Sequence, residues 1–250
     1  RVWSLPAAVA VAAGPADTLV LLTDRQDSEG FVYLAAREDA AAFGQAAGMR
    51  EPARLGEVRG AALAGTRLVH PVSRAEIPLV SAGRGLRALT PGHDREDFAA
   101  AQRLGLPTPC CLDAHGCFTA DAGTATGVPL APGARRLLQQ LDADGVLLGY
   151  AESARPVPHC WRCRQPVVTR LEPRWHLRVD ALRAAATAAV NGIAWQPGWG
   201  QARLASLLAE RPDWRISSRR AWGIPVPAFT CAECGAPQLT PASIAHVAER

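Results

Sequence analysis

The sequence predicts an α/β protein in two parts, with a boundary near residues 150–160. Three observations carry that expectation. Short apolar runs punctuated by Gly, Pro and Asp fill the first part, with helical stretches between and after them. Composition shifts beyond residue 153, where six of the seven Trp and both CxxC pairs lie. Charge shifts at the same place: residues 1–153 hold 14 Arg against 17 acids, for −3, and residues 154–250 hold 13 Arg against 6 acids, for +7. The positive second part suits a polyanionic partner and, by charge alone, equally an Arg-rich solvated face.

Taken in order, strands are expected at AVAVAA (8–13), TLVLLTD (18–24), GFVYLAA (30–36), TRLVHPV (66–72) and EIPLV (76–80). REDAAAFGQAAG (37–48) reads as a short helix. DREDFAAAQRLGL (94–106) has apolar residues at helical spacing and a stop at Gly105 before Pro107. A third helix is expected over ARRLLQQLDADG (134–145), ending at Gly145. In the second part, LRVDALRAAATAAV (177–190) and QARLASLLAER (201–211) look helical. With 48% hydrophobic residues in 250, the chain can bury a sizeable core.

Several chemistries are excluded or disfavoured at once. All 27 cationic residues are Arg, so a lysine Schiff base, a P-loop lysine and a lysine general base are excluded. No apolar run approaches the ~18 residues that span a bilayer, so no membrane partner is expected. The start RVWSLPAAVAVAAGPAD (1–17) imitates a secretion signal, but one Arg precedes the run and Pro6 interrupts it early. The chain starts at Arg1 rather than Met and is expected to continue a longer one. Seven cysteines, four of them in CxxC pairs, favour a reducing, cytoplasmic setting over a disulfide framework.

Three constellations could carry function. In CWRC (160–163) and CAEC (231–234), two thiolates on one tight turn can face a single ion, and two such turns make a tetrahedral zinc site. The candidate ligands are Cys160, Cys163, Cys231 and Cys234. Their spacing exceeds that of a compact zinc ribbon, so the fold must unite them or each must pair with a turn outside this chain. LTPGHDREDF (89–98) crowds His93, Asp94, Glu96 and Asp97. Acids in a first helical turn complement the helix dipole, which accounts for Asp94 and Glu96. A metal cluster is weaker, because His93 has no second His at helical spacing. The third option is a carboxylate that holds an ammonium. In RPDWRISSRRAWGIPVPAF (211–229), Arg and Trp alternate: Arg forks bind phosphate and Trp offers a stacking face, although an amphipathic segment with core Trp fits the same residues. The other His residues (70, 115, 159, 176, 246) are scattered and read as structural.

PHCWRCRQPVV (158–168), PRWHL around Trp175, IAWQPGWGQARL (193–204), RPDWRISSRRAWGIPVPAF and CAECG resemble the isoleucyl-tRNA synthetases, in that order. WSLPAAVAV (3–11), GAALAGTRLVHPV (60–72), TPGHDREDF (90–98), RLGLPTP and LDAHGCFTADAG (112–123) resemble the editing insertion of that family. The valine and leucine enzymes share parts of these motifs. The resemblance implies a mixed, β-barrel-like editing domain over 1–153. It implies that 154–250 returns into part of a Rossmann-type catalytic domain with zinc knuckles. It also implies that Asp97 holds the α-ammonium of a wrongly attached amino acid while its ester to tRNA is hydrolysed. Trp3, Ser4, His93 and Asp94 would line the substrate site, and Arg215, Arg219, Arg220 and Trp222 would meet the tRNA acceptor end.

Departures from the family pattern point the other way. Ala8 stands for an Asn, Ala88 for a His, and GRG (83–85) for a GTG turn, while the expected Thr-rich stretch is cut off or replaced, leaving Arg1, Val2 and Ser4. These leave open a degenerate, non-catalytic tRNA-binding relative. The activation motifs HIGH and KMSKS are absent, so this chain alone is not expected to activate an amino acid. ATP and Mg²⁺ would belong to the full-length enzyme only.

Overall fold

The computed structural model describes residues 2–150, 156–210, 213–217 and 226–249. It comprises two compact units, Arg1–Leu171 and Glu172–Arg250.

The first unit is built on two sheets. Strands β1 (Ala10–Ala13), β2 (Thr18–Asp24) and β3 (Tyr33–Ala36) are followed by helix α1 (Ala40–Ala46), and then by β4 (Pro52–Arg59), β5 (Arg67–Val69), β6 (Glu76–Ser81) and β7 (Leu86–Leu89). One sheet has the order β5-β6-β1-β7, with β1 parallel to β6 and antiparallel to β7. The other is antiparallel, in the order β3-β2-β4. Ala13, Leu19, Ala36 and Leu79 form a buried cluster drawn from both sheets, which packs the two layers together. Strand β1 is nearly all Ala and Val, and three of its four residues are buried. A small-residue strand suits the middle of a sheet covered on both faces.

All five expected strands form, with shorter bounds in some. GFVYLAA begins pairing only at Tyr33, and Phe31 and Val32 stay exposed. Strands β4 and β7 were not legible. PARLGEVR opens with Pro, contains Gly and shows no apolar alternation; it becomes a strand because β2 offers it a full antiparallel ladder. LRAL is equally plain, and β1 recruits it.

Helix α2 (Arg95–Leu104) has both ends where local chemistry puts them. The Asp94 side chain accepts hydrogen bonds from the Glu96 and Asp97 N–H groups, and Gly105 ends the helix in the left-handed region at φ 65°. Helix α3 (Leu130–Ala143) starts four residues before its expected position. It buries Gly133, Leu137 and Leu141 at a spacing of four against Phe118 and Leu112.

The second unit contains β8 (His176–Arg178), α4 (Asp180–Asn191), α5 (Trp199–Glu210), β9 (Asp213–Arg215), β10 (Phe229–Thr230), β11 (Pro237–Gln238) and α6 (Pro241–Ala248). Its strands make two antiparallel pairs, β8 with β9 and β10 with β11; among the described residues no parallel sheet forms. The expected helix over 177–190 gives way at its start, because Leu177 and Arg178 pair with Trp214 and Asp213 and helical structure begins only at Asp180. Val190 is the one buried residue of this unit among those described. Leu177, Leu182, Trp199, Trp214 and Ile216 remain exposed. Among the described residues no helix is long and apolar enough to cross a membrane.

Candidate functional site

The crowded acids of 94–97 separate into distinct roles. Asp94 caps α2, with 2.9 Å from the Glu96 N–H to its carboxylate, and Glu96 is exposed in the first turn. Asp97, one step further round, is turned inward and only 2% exposed. Its Oδ2 accepts the Thr90 backbone N–H at 2.9 Å and the Thr90 hydroxyl at 3.4 Å. Its Oδ1 accepts a hydrogen bond from the Arg87 guanidinium, which completes an ion pair. A buried carboxylate has to be paired, and this one is held from two sides.

Asp97 lines a cavity of about 340 Å³ together with Ser4, Leu5, Arg87, Ala88, Thr90 and Asp94. The chain start contributes through a 3-10 helix, Val2–Ala7, which buries Ser4. That helix is anchored by two groups from distant parts of the sequence. The His70 ring accepts the Val72 and Ser73 N–H groups at Nδ1, so its Nε2–H donates to the Leu5 carbonyl at 2.9 Å. The Cys111 thiol donates to the Trp3 carbonyl at 3.4 Å.

His93 and Trp3 belong to the wall behind the cavity. Their rings meet edge to face at 4.9 Å. Nε2 of His93 accepts the Cys111 N–H at 3.0 Å, so the ring proton is on Nδ1 and donates to the Thr169 carbonyl at 3.0 Å. Burial lowers the His93 pKa, assisted by nearby Arg170 and opposed by the bond to Thr169. Burial also pushes the Cys111 thiol up to about 12, which removes it as a nucleophile. His93 is thus buried and hydrogen-bonded at both ring nitrogens, and it is not among the residues that line the cavity.

A pH dependence follows. A histidine held below its unfolded pKa of ~6.5 must be neutral in the folded state, so the unfolded chain takes up the proton first. Stability should be undiminished above about pH 6.5 and fall as the pH drops below it towards the lowered folded value. Urea titrations at several pH values should show that slope in the parent and a shallower one in His93→Gln; parallel profiles would contradict it.

The two CxxC turns share one geometry. The Cys160 N–H donates to the Gln165 carbonyl and the Arg164 N–H to the Cys160 carbonyl, with Arg164 at φ 59°. The Cys231 N–H donates to the Ala236 carbonyl and the Gly235 N–H to the Cys231 carbonyl, with Gly235 at φ 68°. Backbone N–H groups of the turn lower the pKa of Cys160, chiefly that of Cys163, and lower the pKa of Cys231, chiefly that of Cys234. Such turns suit thiolate ligation, and each supplies two sulfurs. Among the described residues no third His, Cys, Asp or Glu joins either pair. All seven cysteines are free thiols.

Of the expected nucleic-acid contacts, Arg215 lies exposed on β9, opposite His176. Arg219, Arg220 and Trp222 lie outside the described residues. Arg87 and Thr90 were missed as site residues. Thr90 stood within a recognised motif, but no local signal marks Arg87, whose significance comes only from the strand pairing that sets it over α2.

Comparison with known proteins identifies the family. Residues 21–249 match the family described as tRNA synthetases class I (I, L, M and V). The isoleucine–tRNA ligase of Desulforudis audaxviator is 35% identical over 98% of this chain and 27% of its own length. That of Carboxydothermus hydrogenoformans is 33% identical over 99% of this chain and again 27% of its own length. The chain therefore spans about a quarter of the curated relatives it matches. A solved structure titled "The crystal structure of GlLeuRS-CP1" aligns over 62% of this chain and 82% of that one, with TM-score 0.49 and 12% identity, too distant a likeness to bear on function. The family match over residues 21–249 and the relatives' matches along nearly the whole sequence lead to one conclusion: this chain belongs to the class I tRNA synthetases of the I, L, M and V type.

Proposed function

We propose that the first unit is the editing portion of an isoleucine–tRNA ligase and that it hydrolyses the ester of mischarged Val-tRNA(Ile). The observation that carries this reading is the buried Asp97 carboxylate lining a cavity of about 340 Å³ in a chain of this family. A carboxylate suits an α-ammonium because it gives the buried cation a charge-assisted partner. A water added to the ester carbonyl then splits the acyl–oxygen bond. The free amino acid leaves, and the water's proton passes to the released ribose oxygen. Such a step is needed in this family because one missing methylene is worth only ~1–3 kcal/mol of discrimination. Ala8 and Ala88 favour a second reading, a tRNA-binding relative without hydrolysis.

The remaining partners are part of the same proposal. The acceptor end of tRNA would lie against the Arg-rich second part, where phosphate contacts by Arg215, Arg219 and Arg220 and stacking on Trp222 would make binding fall steeply with salt. Zn²⁺ would be held by Cys160 and Cys163 or by Cys231 and Cys234, each pair completed by further donors; it would supply structural cross-linking rather than chemistry. The free thiols are in keeping with a cytoplasmic setting.

The test is a deacylation assay with Val-tRNA(Ile), using protein purified without chelator and with its metal content measured alongside. Activity in the parent, lost in Asp97→Asn and largely kept in Asp94→Ala, supports editing. Binding of tRNA without deacylation supports the second reading, and zinc at background level removes the metal proposal.

A further inference from the structure

The ion pair at Asp97 has a consequence for which substrates the cavity admits. Oδ2 is committed to Thr90, so Oδ1 is the oxygen open to a ligand, and the Arg87 guanidinium occupies it. Two cations drawn to one buried oxygen repel each other strongly where the surroundings screen poorly. A substrate ammonium can take Oδ1 only if Arg87 withdraws. The structure provides for that movement. The Arg87 side chain is 38% exposed while its partner is 2% exposed, so the guanidinium stands on the solvent side of the pair. It passes Gly83, where even an added β-carbon would be 3.6 Å from its Nη2, so that residue puts no side chain in its way.

We infer that Arg87 is a specificity-determining residue: an internal cation that holds the ammonium subsite and must be displaced by any ligand that uses it. This inference rests on the reading of Asp97 as an ammonium anchor. In its paired state the cavity is closed to α-amino esters at Asp97, and in its withdrawn state it is open. Apparent affinity for an amine ligand equals the intrinsic affinity reduced by the fraction of molecules with Arg87 withdrawn. Ligands whose nitrogen is acylated gain nothing from the withdrawal, so the cost falls on those with a free ammonium.

The experiment titrates valinamide, a non-hydrolysable free-ammonium probe, into the intact chain and into Arg87→Gln and Arg87→Met, each with and without Asp97→Asn, followed by NMR. Both Arg87 variants should bind at least about tenfold tighter than the parent, corresponding to a withdrawn fraction of a tenth or less. Adding Asp97→Asn should remove the gain. In the parent, the Arg87 Nε–H resonance should shift on saturation, a measurement that needs no variant. Arg87 variants that bind no tighter, together with a loss on Asp97→Asn alone, would overturn the internal-cation inference and leave the ammonium reading standing. Valinamide binding indifferent to Asp97→Asn in every background would overturn both. An unmoved Arg87 resonance at saturation also overturns the inference.

Discussion

Asp97→Ala should lower the unfolding free energy of the first unit by about 2–3 kcal/mol, in addition to removing any deacylation. Breaking a buried ion pair by deleting one partner costs roughly 3–5 kcal/mol, and the partial exposure of Arg87 reduces that figure. The change strands the Thr90 N–H, which Asp97 Oδ2 accepts at 2.9 Å, and leaves the Arg87 guanidinium without its carboxylate partner. Asp97→Asn keeps an acceptor for Thr90 and should cost less stability while losing the charge that an ammonium needs. Asp94→Ala removes an N-cap and should cost about 1 kcal/mol. Urea denaturation of the three variants measures this order. Equal, small losses at both positions would mean that Asp97 acts as one more helix-dipole acid.

Gly92→Ala should be the most damaging single methyl in the TPGHD turn, at about 2–3 kcal/mol, within the usual cost of overpacking a tight site. A β-carbon at Gly92 would overlap the Pro109 carbonyl oxygen and lie 3.0 Å from the Cys110 Cα, both backbone atoms that cannot rotate away. The Gly92 carbonyl also accepts the Leu171 N–H at 2.8 Å. Pushing this turn out would move His93 off Cys111 and Thr169, and with it the wall behind the cavity. Gly105→Ala offers the contrast. It meets nothing within 4 Å, so its cost is that of the left-handed backbone alone, about 1 kcal/mol. Melting temperatures of the two variants check this directly, and a Gly92→Ala protein as stable as the parent would refute the close approach.

The elements legible from residues alone are those whose causes are local. Helix α2 was legible to within a residue because Gly105 stops it and its acids mark its start, where Asp94 proves to be the cap rather than part of the first turn. Strand β2 matches TLVLLTD end to end because its apolar and β-branched run is long enough to mark a buried strand. The CxxC turns were visible because a two-residue gap places both sulfurs on one turn wherever it occurs. Strands β4 and β7 were hidden because their residues carry no pattern of their own and are strands only through β2 and β1.

The site divides in the same way. The crowding of acids around Asp97 could be read from the residues, and the resemblance to the synthetases singled out Asp97 among them. The tertiary structure adds the burial, which encloses Asp97 and leaves Glu96 in solvent. The partner of that carboxylate, and the structural role of His93, depend on contacts across 10 and 76 residues of chain, Arg87 to Asp97 and His93 to Thr169. Arg87 lies only ten residues before Asp97, but LRAL carries no strand pattern of its own, so the cation at the ammonium subsite emerges only when β1 has drawn β7 into the sheet.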